Sequence, residues 1–158
     1  MDVDVIYFSW TGNTKRVAEI IFKELLKLGV RSHLAEIKPK RDYSYIIWLL
    51  LSFIPNVGVK IFEVKSTANN IVLCMPKWTL NCPPVTAFLK KAEIQNKMIY
   101  LVITYGGFDE KRYAVSYKKK IEKFGGIVKD VLLIRRREIE TNKEKIESWV
   151  KNNFSIQR

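Results

Sequence analysis

Runs of apolar residues alternate with stretches of helical spacing along almost the whole chain, and that alternation leaves few folds open. Val3–Phe8 is nearly continuous in apolar residues, as expected of a strand covered on both faces. From Thr14 the period changes: Val17, Ile20, Ile21, Leu25 and Leu28 mark a helix, and Gly29 supplies its stop. Val30–Ile37 is a second strand, and Ile71–Met75, closed by Pro76, a third. Pro83 and Pro84 fit only a helix start, after which Val85, Phe88, Leu89 and Ala92 form one face. Met98–Ile103 is a fourth strand; Tyr113, Tyr117, Ile121 and Phe124 give the next helix, stopped at Gly125-Gly126. Ile127–Ile134 is the last strand, and Thr141 with Glu144 forms a capping-box signature ahead of Ile146, Trp149 and Val150. Strands and helices in strict alternation imply an α/β, three-layer, doubly wound parallel sheet. Ligands in such sheets sit beyond the carboxyl ends of the strands, which directs attention to residues 9–14, 76–82 and 104–109.

At 158 residues the chain has the length of one domain, and no linker or repeat divides it, so residues 1–158 are expected to form a single unit. Its net charge of +12 calls for an anionic counterpart or a solvated basic surface: an acidic protein, an anionic membrane or nucleic acid. Nucleic acid has no dedicated groove in such a fold, so no such binding is expected. Asp2 and Asp4 replace the basic start of a signal peptide, and Cys74 and Cys82 make neither a disulfide framework nor a metal spacing. A cytoplasmic protein with free thiols is the expectation. The single histidine, His33, has no nucleophile near it in sequence, which argues against hydrolase triads.

Between the first strand and the first helix stands Ser9-Trp10-Thr11-Gly12-Asn13-Thr14. Unpaired N–H groups at a helix start, hydroxyls at Ser9, Thr11 and Thr14, the Asn13 amide and the small Gly12 suit a phosphate. The loop has neither the Gly-Lys-Ser/Thr ending of a triphosphatase nor a G-x-G-x-x-G, so a monoester phosphate is favoured. Here the sequence resembles the flavodoxin family, whose phosphate loop reads S/T-x-T-G-x-T. The resemblance implies a five-stranded parallel sheet in the order 2-1-3-4-5 and a non-covalent FMN.

It also gives roles to the other two loops. In Pro76-Lys77-Trp78-Thr79-Leu80-Asn81-Cys82, Trp78 occupies the place of the aromatic residue that covers one flavin face. Such stacking is worth about 0.5–1.5 kcal/mol beyond burial. Thr104-Tyr105-Gly106-Gly107-Phe108-Asp109 would supply the other wall, with Tyr105 the first choice of ring and Phe108 the second; Tyr113 follows in the next helix. Cys82 reads either as a redox thiol or as a small packed one.

Three features depart from that family. Flavodoxins are acidic, and this chain is basic, which predicts a less negative potential for adding the second electron. No glycine follows Trp78; among Thr79, Leu80 and Asn81, the asparagine best tolerates left-handed geometry. Finally, Tyr43–Pro55 fills the slot of a sheet-covering helix yet is apolar nearly all round and too short to span a bilayer. It is expected to be buried by the sheet on one side and by Val57–Val64 or a second subunit on the other. The alternative is a docking site, flanked by Lys38, Lys40, Arg41, Lys60 and Lys65, for an anionic membrane or a membrane-bound partner. Arg135-Arg136-Arg137, at the edge of the ligand loops, suits an acidic partner, a phosphate-bearing cosubstrate such as NADPH, or plain solvation. The functional expectation is an FMN electron carrier between redox proteins. The alternatives are an NAD(P)H-dependent FMN or quinone reductase and an adaptor without flavin.

Overall fold

Strands buried on both faces and helices buried along one stripe generate the architecture directly. The structure, a computed structural model, describes residues 1–155. Strands β1 (Asp2–Tyr7), β2 (Arg31–Glu36), β3 (Asn70–Pro76), β4 (Met98–Tyr105) and β5 (Ile127–Arg135) alternate with helices α1 (Asn13–Lys27), α2 (Tyr45–Ser52), α3 (Pro83–Lys91), α4 (Glu110–Lys123) and α5 (Lys143–Phe154). The sheet is wholly parallel, in the order β2-β1-β3-β4-β5.

Alternate residues of each central strand feed two cores. Val5, Val72 and Val102 face α1 and α5, meeting Val17, Ile21, Val150 and Phe154. Ile6, Leu73 and Leu101 face the opposite way, toward Phe88 and Leu89 of α3 and Tyr117 and Ile121 of α4. With both faces covered, the inner strands need no polar alternation, which is why they read as continuous apolar runs. Phe8 lies one residue beyond β1 but stays in register, its N–H donating to the Cys74 carbonyl (3.1 Å). Gly29, at φ +75°, closes α1, and the Val30 N–H returns to the Leu25 carbonyl (3.0 Å).

Two expectations fail. The capping box before α5 does not form. A 3-10 turn, Arg136–Glu138, precedes that helix, and the Thr141 hydroxyl donates to the Glu138 carbonyl (3.1 Å), leaving Asn142 as the N-cap. Within the single chain, the apolar stretch 43–55 is also not buried between the sheet and Val57–Val64. Extended chain does the covering on that face of the sheet: Ile61 is buried against Ile37 and Ile71, with Val59 and Val64 alongside. That segment is held by an antiparallel bridge between Pro39 and Ile61, where Lys40 donates to Lys60 (2.8 Å) and Phe62 to Lys38 (2.9 Å). Displaced from the sheet, α2 buries only Trp48 and Ser52 and moves to the carboxyl end of the strands. Among the described residues, no helix is long and apolar enough to cross a membrane.

Candidate functional site

The loops that follow β1, β3 and β4 converge on a cleft of about 570 Å³, within the range of small-molecule sites. Trp10, Thr11, Asn13 and Thr14 line it from the first loop; Pro76, Lys77, Trp78 and Thr79 from the second; Thr104, Tyr105, Gly106, Gly107 and Phe108 from the third. All thirteen belong to the three loops that the sequence singled out.

At the start of α1, Gly12 adopts φ +96° and ψ −11°, a left-handed conformation in which no side chain caps the helix. Its N–H is bound by the Ser9 hydroxyl (3.1 Å), so Ser9 shapes the loop from behind rather than lining the cleft. The first helical N–H with an acceptor is that of Arg16, on the Gly12 carbonyl (3.0 Å). Among the described residues, the N–H groups of Asn13, Thr14 and Lys15 have no chain acceptor, which makes an anion cradle. The Thr14 hydroxyl is buried and bonds that of Thr104 (2.7 Å), tying the first loop to the third. The Lys77 N–H donates to the Thr104 carbonyl (2.7 Å) and ties the second loop to it as well.

One wall of the cleft is aromatic. Trp78 sits among Phe8 (5.5 Å between centroids), Trp48 (5.6 Å) and Trp10 (6.2 Å), and Trp10 in turn stacks on Tyr45 (5.7 Å, 16° between planes). The facing wall is Tyr105 and Phe108 with the two glycines between them. Lys77 lies over the Phe108 ring (5.6 Å) and Arg135 over Tyr105 (5.8 Å), so both rings are backed by cations. A Cβ on Gly106 would come within 2.6 Å of the Arg136 guanidinium carbon, so the missing side chain is what lets Arg136 lie against this loop and line the cleft.

Five residues that the sequence assigned to ligand binding lie off the cleft lining. Ser9 and Gly12 act through loop geometry, Leu80 faces solvent, and Tyr113 is buried beneath the second loop, its ring against Tyr117 (5.0 Å). Asn81 is the clearest correction. It is fully buried and does not adopt the left-handed geometry that its position after Trp78 made attractive. Its amide nitrogen donates to the carbonyls of Ile54 (3.0 Å) and Val57 (2.8 Å), while its oxygen accepts from Thr86 (2.5 Å), Tyr117 (3.1 Å) and Lys120 (3.1 Å). It therefore locks the second loop to the segment after α2.

Conversely, the cleft also takes in Tyr45, Trp48, Leu49 and Ser52, all on α2, for which sequence reasoning had no such role, and Arg136, read there as suited to an acidic partner, a phosphate-bearing cosubstrate or plain solvation. The density of rings in 43–48 was the available signal for α2. Ser52 fixes α2 in place: its carbonyl accepts from the N–H groups of Leu80 (3.1 Å) and Asn81 (2.9 Å), and its hydroxyl bonds that of Thr79 (2.7 Å). Trp48 is buried, and its Nε1–H is the single buried side-chain polar atom without a partner among the described residues.

The thiols are settled by burial. Cys82 caps α3 at a position where a helix start lowers a thiol pKa, but complete burial pushes it far up, outweighing the Val85 N–H and the Lys120 charge. It is a packed thiol, as is Cys74, whose pKa burial also raises. His33 is exposed on edge strand β2, far in sequence from the loops.

Lys120, whose Nζ donates to Asn81 and Thr86 (3.2 Å), is held down to about 8, first by burial and then by the charge of Lys90. Below that value the folded state carries a poorly hydrated ammonium that costs stability. As pH rises from about 8 to 10.5 the folded state loses this proton before the unfolded chain does, and the cost disappears. Because the group is partly exposed, solvent screening reduces the effect to about 1 kcal/mol. Urea unfolding of the wild type and Lys120→Met at both ends of this range should therefore show their difference move in the wild type's favour by about that amount. A constant difference would mean that Lys120 titrates as it does in the unfolded chain.

Comparison with known proteins gives the class. No family model matches the chain. Among solved structures, it superposes on a Bacteroides eggerthii protein assigned as a flavoprotein with a TM-score of 0.77 at 21% identity, over 99% of each chain. The two-electron reduced flavodoxin of Megasphaera elsdenii matches at 0.61 and 18% identity, over 96% of this chain and 99% of that one. A Lactobacillus acidophilus flavoprotein in complex with FMN matches at 0.63 and 20%, over 89% and 97%. The chain thus has the flavodoxin-like fold. By sequence it belongs to one family with a protein of Archaeoglobus fulgidus described only as uncharacterized, to which it is 46% identical over 154 residues, 98% of this chain and 99% of that one.

Proposed function

We propose that the protein binds FMN non-covalently in this cleft and carries electrons between redox proteins. The observation that carries the reading is the pairing of an anion cradle at Asn13–Lys15 with an aromatic-walled cleft at the carboxyl ends of β1, β3 and β4. That a flavoprotein of the same fold holds FMN agrees with it.

FMN, when bound, supplies the redox chemistry. The chain's part is binding, orientation and electrostatics. Asn13 and Thr14 would hold the phosphate through their N–H groups, helped by the α1 dipole and by the hydroxyls of Thr11 and Thr14. Trp78 and Tyr105 offer ring faces to a planar heterocycle, and Gly106 and Gly107 let backbone groups approach its polar edge. The cations around the cleft, Lys77 and Arg136, favour whatever negative charge reduction adds.

Titrating the flavin-free protein with FMN and riboflavin, followed by tryptophan fluorescence, tests this. Quenching by FMN is expected, with Trp78→Ala weakening binding about tenfold through lost stacking and burial. No quenching by millimolar FMN would leave the protein an adaptor on this fold. Addition of NADPH to the flavin-loaded protein distinguishes the two redox readings. A carrier leaves NADPH unoxidised until a reductase is supplied, whereas a reductase consumes it alone, using a basic side chain such as Arg136 toward the dinucleotide phosphate.

A further inference from the structure

We infer that the outer face of α2, together with the adjoining mouth of the cleft, is a docking face for an anionic lipid surface. The first ground is the orientation of the helix. Tyr45, Ile46, Leu50, Phe53 and Ile54 are each more than half exposed, although water should select polar residues at such positions. They belong to a fixed platform, not a loose segment: the Ser52 carbonyl takes two N–H bonds from the second loop, and Asn81 anchors the carbonyls of Ile54 and Val57. The apolar surface then continues to the cleft through the Tyr45–Trp10 stack, and Phe108, 83% exposed, also lines the cleft.

The second ground is charge, and it selects the occupant. Lys40, Arg41 and Lys60 lie in the segments on either side of α2, and between Lys40 and Lys60 the sequence has a single carboxylate, Asp42; Lys38, just before them, is paired with Glu36 (3.7 Å). Lys90 reaches the Asn56 carbonyl (2.5 Å) at the far end of the platform, and Lys77 lies over the Phe108 ring. A second copy seated face to face through a two-fold axis would set one basic surface against another of the same sign. A lipid surface reverses the sign: the aliphatic and aromatic side chains enter the acyl boundary while the lysines and arginine meet anionic headgroups. The excess of 28 basic over 16 acidic side chains across the chain adds long-range attraction to the same surface. If the cleft holds flavin as proposed above, electron exchange would occur at the membrane surface; the docking itself does not depend on that reading.

Flotation of the purified full chain with vesicles tests the inference, and flavin absorbance recorded on the same fractions keeps the two readings separable. The wild type should float with vesicles of phosphatidylcholine and phosphatidylglycerol, and about tenfold less with phosphatidylcholine alone. The triple variant Ile46→Ser, Leu50→Ser, Phe53→Ser should lose binding about tenfold or more, as should Arg41→Glu with Lys60→Glu. All five sites are exposed, so circular dichroism should show both variants folded. Wild type that stays at the bottom, equal flotation with neutral vesicles, or a triple variant that floats as well as wild type would each overturn the inference. A wild-type dimer that the triple variant dissociates, without flotation, would also overturn it and assign the face to a second copy.

Discussion

Gly12→Val is expected to weaken FMN binding by roughly 10²–10⁴-fold, the largest effect of any single change at the cleft. The cause is conformational. An ideal Cβ at this position meets nothing within 4 Å, so crowding is not the problem. The backbone, however, stands at φ +96°, which a β-branched residue reaches only at a cost of about 1–3 kcal/mol. Relaxation of that strain re-aims the peptide groups entering α1, and with them the N–H groups of Asn13 and Thr14. Two or three charge-assisted hydrogen bonds are at stake, at about 1.5–3 kcal/mol each. Riboflavin lacks the phosphate and should lose far less affinity, so the ratio of the two ligands is the measurement. An unchanged ratio would place the phosphate somewhere other than residues 9–14.

Asn81→Leu should cost roughly 3–5 kcal/mol of folding stability, a fall in Tm of roughly 6–20 °C for a domain of this size. Leucine fills the space but answers none of the five partners. The Ile54 and Val57 carbonyls lose their donor, and Lys120 and Tyr117 lose a common acceptor in the interior. Asn81→Asp separates the two halves of the role: it keeps an acceptor for Lys120, Tyr117 and Thr86 but cannot donate to the carbonyls, and should cost less. Because the donated bonds hold the end of α2, both variants should also loosen the wall that contains Trp48. Thermal unfolding that leaves both variants near wild type would show that water replaces the lost partners.

The contrast between Gly12 and Asn81 shows how far the sequence could be read. Gly12 sits in a local motif whose chemistry is complete within six residues, at the junction of a strand and a helix. Its neighbours in sequence are its neighbours in space. Asn81 lies equally close in sequence to Trp78, but its partners come from residues 54, 57, 86, 117 and 120, and no local pattern announces that meeting. A buried asparagine and one exposed in a ligand loop look alike until the chain has folded.

The loop of residues 9–14 with which the flavodoxin resemblance began was determined by the sequence itself, as were the five strands, their parallel pairing and the three loops at one edge. Hydrophobic periodicity and helix-start chemistry are short-range properties, and the chain states them directly. Only the tertiary structure decided what became of residues 43–65. The composition of 43–55 suited a helix buried on the sheet or a docking site, but the extended run through Ile61 reached the sheet and covered it. That left α2 free to build a cleft wall with Trp48 and to turn Ile46, Leu50 and Phe53 outward. Two apolar segments competed for one face of the sheet, and which of them wins depends on packing against residues distant in sequence.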